Sequence, residues 1–249
     1  VAPIDRIAFI KENIGDSIRD DTCLELARAY NQNGSFDEAV KLLDSHTFVP
    51  CEGGEHAVAE QYMFAYHAVG RKLLSDGKYA EAAEAFEKAQ ILPQNLGAGL
   101  WNECKLVPHQ FYLAECLEKI GEHEQADKIY DHILELEIDY FSNMHLPELP
   151  YYQAMAYTAK GGFLKGRALI DKYQKKWHNE INKADAGYFS TTPFFISYCD
   201  NAKQARQAYY SYLLGFAYRF MKNPKESALM FNTASELDKS NLWYQLEAE

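Results

Sequence analysis

VGRKLLSDGKYAEAAEAF, residues 69–86, follows a pattern of large and small residues that four other segments repeat. A small residue follows a large one, another large residue comes three positions later, and a turn leads into a second small-then-large pair. The five segments are LARAYNQNGSFDEAVKLL (26–43), VGRKLLSDGKYAEAAEAF (69–86), LAECLEKIGEHEQADKIY (113–130), QAMAYTAKGGFLKGRALI (153–170) and LGFAYRFMKNPKESALMF (214–231). This spacing, kept five times without a gap, predicts five helix–turn–helix units.

The small residues mark where the two helices of each unit should cross closely, because large side chains would hold the helices apart. In the first helix they are Ala27, Gly70, Ala114, Ala154 and Gly215, and in the second they are Ala39, Ala82, Ala126, Gly166 and Ser227. Four of the turns carry a glycine, which can end a helix in a left-handed conformation. These turn residues are Gly34, Gly77, Gly121 and Gly161, with Lys222 as the exception.

The pattern resembles the tetratricopeptide (TPR) repeat over about residues 20–240. The resemblance implies an all-α fold, a right-handed superhelix of about five repeats. We expect an N-terminal capping helix in residues 1–19, five repeats in 20–239 and a C-terminal capping helix in 240–249, together one domain over 1–249. The chain begins VAPID without a methionine, so we interpret it as a processed protein or a fragment of a longer one, and we favour the fragment.

Long insertions separate the repeats, always between the second helix of one and the first helix of the next. They are HTFVPCEGGEH (46–56), QNLGAGLWNECKLVP (94–108), DYFSNMHLPELP (139–150) and a long segment around GYFSTTPFFISYCD (187–200). In a solenoid such connections leave on one edge. They could fold back over the helix ends or form a partner surface, and we favour the partner surface because large aromatic residues anchor interfaces. The candidate residues of this insertion edge are Glu52, Glu55, His56, Trp101, Tyr140, Phe141 and Phe189.

A second candidate surface is the concave groove, where ligands of the repeat family contact first-helix side chains. Arg28 and Arg71 occupy the same register position in successive repeats, which suggests recognition of a carboxylate or phosphate. Alternatively, both arginines pair with nearby acids. The predicted groove residues are Arg28, Phe64, His67, Arg71, Tyr151, Tyr209 and Tyr212. The Lys/Asn carboxylate clamp of chaperone-binding members is not reproduced, so that peptide specificity is not expected.

Composition excludes several classes of function. The net charge is −11 and the 25 basic residues are scattered, whereas a duplex nucleic-acid binder needs a basic face. No apolar run approaches the roughly 20 residues needed to cross a bilayer, so no membrane span is expected. The five cysteines form no C-x-x-C pair and are predicted to be reduced thiols, in keeping with a cytoplasmic location.

One cluster in the first insertion invites a chemical interpretation: Cys51, Glu52, Glu55, His56 and Glu60. A structural zinc site needs four ligands, and no second Cys/His cluster supplies the missing ones. Glu52 and Glu55 could act as acid and base, but the simpler interpretation is a glycine-assisted helix start. No nucleotide-binding or nucleophile motif occurs. We therefore predict no catalytic residue, metal or cofactor, and no enzyme activity from this chain alone.

A narrower resemblance rests on CEGGEH (51–56) and NLGAG (95–99) placed between repeats of this kind. It is similar to the C-terminal helical region of large, uncharacterised bacterial proteins whose N-terminal part is a β-sandwich like that of carbohydrate-processing enzymes. The resemblance implies an interaction scaffold that binds a protein segment or the parent protein's own N-terminal domain. The alternative is the helical part of a carbohydrate-processing enzyme, with the insertions contributing to a sugar-binding cleft.

Overall fold

The computed structural model describes residues 1–14, 18–50, 55–99, 102–183 and 201–248. Helices contain 79% of these residues and none of them lies in a strand, so the all-α prediction is confirmed. The chain divides into two compact units, which are described separately: unit 1, Val1–Leu146, and unit 2, Pro147–Glu249. One continuous domain over 1–249, the handedness of the stack and a shared edge for the insertions stay predictions.

Unit 1 contains an N-terminal helix, three helix pairs and a short final helix. The N-terminal helix packs on the first helix of the first pair, and consecutive helices of the pairs pack on each other. Two short 3-10 turns, Gln94–Leu96 and Glu103–Leu106, precede the third pair. The helices are α1 Pro3–Asn13, α2 Asp20–Gln32, α3 Phe36–Ser45, α4 Glu55–Ser75, α5 Tyr79–Lys88, α6 Val107–Ile120, α7 His123–Glu135 and α8 Tyr140–His145.

Unit 2 contains two helix pairs and a C-terminal helix. The first pair packs against the first helix of the second pair, and the C-terminal helix covers the last helix of that second pair. The helices are α9 Leu149–Ala159, α10 Phe163–Ile181, α11 Ala202–Phe220, α12 Pro224–Leu237 and α13 Leu242–Ala248. No helix in the part of the chain that the structure describes is long and apolar enough to cross a membrane.

The turns inside the five pairs share one backbone conformation. Their left-handed residues are Gly34 (φ 72°), Gly77 (75°), Gly121 (89°), Gly161 (77°) and Lys222 (56°). Lys222 is the only non-glycine residue with positive φ among the described residues. Since a residue with a Cβ adopts this conformation at a cost, the fifth repeat keeps the turn geometry without the residue best suited to it.

The predicted small residues meet at the helix crossings. A Cβ added to Gly166 of α10 would lie 2.5 Å from the carbonyl oxygen of Ala154 in α9, and both are predicted crossing positions. In the last pair, the Ser227 hydroxyl donates to the carbonyl oxygen of Gly215 at 3.0 Å. In both helix pairs of unit 2 the helices thus approach closely where the spacing predicted it.

Candidate functional site

The structure places two of the four groove candidates of unit 1 in the core. Phe64 and His67 are buried on α4, with His67 fully shielded from solvent. Arg28 and Arg71 are half-exposed, as the groove prediction requires. Arg28 forms an ion pair with Glu25, and the Arg71 guanidinium lies 4.5 Å from the centre of the Tyr112 ring.

The groove candidates of unit 2 divide in the same way. Tyr151 and Tyr212 are buried, and the Tyr151 ring centre lies 4.6 Å from that of Phe216. Tyr209 alone is half-exposed. The expectation of an open surface is therefore wrong for Phe64, His67, Tyr151 and Tyr212, because neighbouring aromatic rings cover these side chains. The binding role stays a prediction for Arg28, Arg71 and Tyr209.

Two buried histidines are in contact, and one of them, His67, is close enough to Arg71 to feel its charge. The Nδ1 atoms of His67 and His109 lie 3.1 Å apart, and both rings are fully buried. Burial lowers the pKa of His109 to about 3, and burial together with the charges of His109 and Arg71 lowers the pKa of His67 well below its ordinary value. Burial also raises the pKa of the neighbouring Glu115 carboxyl. The pair is a neutral hydrogen-bonded element of the core.

Unit 2 contains a buried acidic cluster. Glu148 lies at the start of α9 and accepts a 3.3 Å hydrogen bond from the Tyr212 hydroxyl. Burial, followed by the nearby Glu247 carboxylate, raises the pKa of Glu148 to about 7. Glu247 of α13 is itself buried and forms an ion pair with Arg219. Both acids therefore contact side chains of α11 in the interior of unit 2, Glu148 through Tyr212 and Glu247 through Arg219.

The first two insertions of unit 1 are joined by hydrogen bonds, called here the Asn95 bridge. The side-chain amide of Asn95 donates to the backbone carbonyl oxygens of Leu43 (2.8 Å) and His46 (2.7 Å), and the backbone carbonyl oxygen of Asn95 accepts from the Phe48 backbone N–H at 2.7 Å. A Cβ at Gly97 would lie 2.6 Å from the Phe48 carbonyl oxygen, so the NLGAG segment needs glycine here for the close approach. The bridge holds the two connections at a fixed spacing.

Both bridged insertions also extend the core. Phe48 and Leu96 are buried in the cluster formed by the first two helix pairs. A fully buried side chain of this size contributes about 1.5–3 kcal/mol. The Asp20 carboxylate at the start of α2 accepts from the Val49 amide at 2.8 Å and lies 2.7 Å from His46 Nε2. Phe48 and Leu96 thus fold back onto the helix pairs, one of the two arrangements considered for the insertions, whereas Val49 stays exposed.

Large apolar side chains nevertheless remain exposed in the connections of unit 1. Val49 is 72% exposed, Ile91 69%, Tyr140 75% and Met144 55%. Tyr140 and Met144 are four residues apart on α8, so they share one face of that helix. These four residues are called here the exposed connection residues.

Of the other insertion-edge candidates, only His56 has a side chain that the structure describes. His56 is half-exposed near the start of α4. Glu52, Trp101 and Phe189, and the side chains of Glu55 and Phe141, lie outside what the structure describes.

No group of three or more His, Cys, Asp and Glu side chains that could hold a metal ion occurs within the described ranges. Three cysteines fall in those ranges, Cys23, Cys104 and Cys116, and all are free thiols. Burial raises the pKa of Cys23 and of Cys116 to about 12, so neither supplies a thiolate at neutral pH.

The sequence analysis missed Asn95, His109 and Glu148. His109 shares the apolar face of α6 with Tyr112, Leu113 and Cys116, a spacing that would have marked it as a core histidine. Asn95 and Glu148 have no comparable local signal, because their partners are 49 to 64 positions away along the chain.

No protein-family model matches the chain. Among solved structures, the chain is similar to a crystal structure of nearly identical TPR-like repeats from a Podosopora anserina protein described as a kinesin light chain. The two are 17% identical, the match covers 87% of this chain and 93% of that one, and the TM-score is 0.35. A score this low supports no inference about function, and the helix pairs of this chain carry the repeat assignment by themselves.

Proposed function

We propose that the chain is a non-catalytic protein-interaction scaffold that binds its partner through the exposed connection residues of unit 1. The observation that carries this proposal is that Val49, Ile91, Tyr140 and Met144, all more than half exposed, lie in segments between helix pairs. Single exposed apolar residues are ordinary, and these four support the proposal because all of them lie in connections between helix pairs, where the aromatic insertions predicted a partner surface.

Contacts within unit 1 hold the backbone around Val49. Phe48, the residue before Val49, is buried, and the backbone N–H of Val49 donates to the Asp20 carboxylate. The Val49 side chain is therefore presented by an ordered segment. A surface that is already ordered loses less conformational entropy on binding, which favours affinity.

The α8 helix supplies a second anchor of suitable chemistry. Its start is stabilised by a reciprocal capping box between Asp139 and Ser142, with distances of 2.7 and 2.8 Å. Tyrosine and methionine are both enriched in interface cores, since one offers a rigid amphipathic ring and the other a flexible apolar chain. The expected partner is an apolar protein segment or the parent protein's own N-terminal domain.

The carbohydrate alternative and the cytoplasmic location stay predictions. A sugar-binding cleft would draw on Trp101, Phe189 and Glu52, which lie outside the described residues. The scaffold proposal therefore rests on the side chains that the structure does describe.

The test is capture of partner proteins from the source cells by four purified forms of the chain, the wild type and three variants, followed by mass spectrometry. One variant carries Val49→Ser, Ile91→Ser and Met144→Ser. A matched control carries Leu164→Ser and Leu229→Ser, which change exposed apolar residues (80% and 59%) on helices of unit 2. Circular dichroism of all forms checks that each is folded.

We expect the connection variant to lose a specific partner that the wild-type and control chains retain. The partner is then purified, and direct titration should show binding at least about tenfold weaker to the connection variant, since each anchor contributes more than about 1 kcal/mol. A folded Arg28→Ala, Arg71→Ala variant that alone loses the partner would move the site to the groove and refute the proposal.

A further inference from the structure

The two units differ sharply in charge. Residues 1–146 contain 26 Asp and Glu against 12 Lys and Arg, a net charge of −14. Residues 147–249 contain 10 against 13, a net charge of +3. The overall value of −11 therefore conceals a basic region inside an acidic chain. A local excess of positive charge on an acidic protein affects which partners it binds, and it has little effect on the fold.

Three lysines of unit 2 share one face of α10, called here the lysine face: Lys165, Lys172 and Lys176. Their spacings of seven and four residues return to nearly the same direction on an α-helix with 3.6 residues per turn. All three are exposed. At a rise of 1.5 Å per residue, the face is about 16 Å long.

The acids on the same helix are already engaged. Asp171 forms an ion pair with Arg167 at 3.1 Å, and Glu180 forms one with Lys183. Within the described ranges, none of the three lysines of the lysine face forms an ion pair. The positive charge of this face is therefore not neutralised by its own helix.

Tyrosine rings lie beneath the three ammonium groups. Lys172 Nζ and Lys176 Nζ are 5.5 and 5.8 Å from the centre of the Tyr173 ring, and Lys165 Nζ is 5.9 Å from that of Tyr157 on α9. These distances are within the range of cation–π attraction, which holds the flexible lysine side chains along the rings. The lysine face thus combines three partly ordered cations with aromatic surface.

We propose that the lysine face of α10 binds an acidic segment of a partner protein. The inference rests on the scaffold role proposed above and adds a second, electrostatic contact surface to it. A segment in extended conformation advances about 3.3 Å per residue, so five or six residues would span the three lysines. A protein segment fits better than duplex nucleic acid, which needs a broader basic face than three lysines on one helix.

The probe is a fluorescent peptide of about twelve residues, rich in Asp and Glu, titrated with the full chain at low salt and followed by anisotropy. The test variant is Lys172→Glu, Lys176→Glu. The control variant is Lys225→Glu, Lys239→Glu, which changes two exposed lysines of the same unit and alters the net charge by the same amount. A thymidine oligonucleotide of matched length is the second probe.

We expect the test variant to bind the acidic peptide at least about tenfold more weakly than the wild-type and control chains. Peptide affinity should also fall several-fold as salt is raised from about 50 to 300 mM. Equal weakening in both variants would mean that only net charge matters and would overturn the proposal. Tighter binding of the oligonucleotide, or lysine-dependent self-association in sedimentation without peptide binding, would overturn it as well. None of these outcomes bears on the exposed connection residues, whose test is separate.

Discussion

The Nδ1 atoms of His67 on α4 and His109 on α6 lie 3.1 Å apart in the interior of unit 1. One nitrogen must carry a proton and donate to the lone pair of the other, because two N–H groups facing each other would repel. The surroundings are the Phe86 ring of α5, the Tyr112 ring of α6 and the Arg71 guanidinium, with Glu115 as the nearby acid. The site therefore admits the neutral form of both rings.

Unit 1 should lose stability as the pH falls below about 6.5. Unfolded histidine titrates near pH 6.5, whereas the pKa of buried His109 is about 3 and that of His67 is also well below its ordinary value. The unfolded state thus binds more protons in this window, and each histidine contributes up to about 1.4 kcal/mol of lost stability per pH unit. Urea unfolding between about pH 7.5 and 5.5, with hydrogen exchange to assign the loss to unit 1, measures the effect.

Variants can separate the contribution of the buried histidine pair to this pH dependence from that of the exposed histidines. His67→Phe, His109→Phe should remove most of this pH dependence, since replacing both partners by apolar rings leaves no buried polar atom unsatisfied. His123→Gln changes an exposed histidine and should retain the dependence. An unchanged slope in the folded double variant would contradict the assignment.

Unit 2 should respond to pH in the opposite direction. The pKa of Glu148 is raised from 4.5 to about 7, so the folded state holds the extra proton between these values and stability falls as the pH rises through them. Glu148→Gln should stabilise unit 2 at about pH 8 by on the order of 1–3 kcal/mol, since the amide oxygen can still accept from Tyr212. Thermal unfolding at about pH 5 and pH 8 measures the change, and Glu236→Gln is the control that should keep the wild-type slope.

Gly166→Ala should destabilise unit 2 strongly. The new Cβ would meet the backbone carbonyl oxygen of Ala154 at 2.5 Å, so α9 and α10 would have to move apart. Overpacking of this kind costs about 1–3 kcal/mol or more. Gly99→Ala, whose Cβ would meet no atom within 4 Å, should change the unfolding free energy by less than about 0.5 kcal/mol. Similar denaturation midpoints for the two variants would contradict the crossing geometry.

Lys222→Gly should stabilise the last helix pair. Lys222 has a φ of 56°, and a residue with a Cβ pays about 1 kcal/mol to adopt this conformation. Part of that gain is lost because glycine is more flexible in the unfolded chain, which leaves an expected increase of about 0.5 kcal/mol. Gly161→Ala at the equivalent turn should lower the free energy of unfolding. Chemical denaturation of both variants measures the two changes.

The repeats could be predicted because their determinants are local. Ala154 and Gly166 are small residues on either side of a glycine turn. Together they predict one arrangement, in which the two helices cross in close contact. The groove could not be predicted in the same way. Register placed His67 and Tyr212 on the first helices of their repeats, but it did not show that aromatic rings of neighbouring helices cover them.

In the insertions, too, the sequence alone does not show which side chains are buried. Their aromatic content suggested a partner surface, yet Phe48 and Leu96 are core residues while Val49 and Ile91 are exposed. Which side chain of a connection turns inward depends on hydrogen bonds such as those of Asn95, whose partners are about fifty residues away. No periodic pattern encodes such a contact.

The Asn95 bridge also gives unit 1 a definite response to force. Asn95 and Leu43 are 52 positions apart, so their hydrogen bond closes a loop that contains α4 and α5. Tension applied to the two ends of the chain would pass across the bridge and leave the loop unloaded until the bridge ruptures. Full extension of the loop, which also requires α4 and α5 to unfold, would lengthen the chain by up to about 170 Å at about 3.4 Å per residue. In an optical trap, rupture of the bridge would accordingly have to come before the extension of α4 and α5.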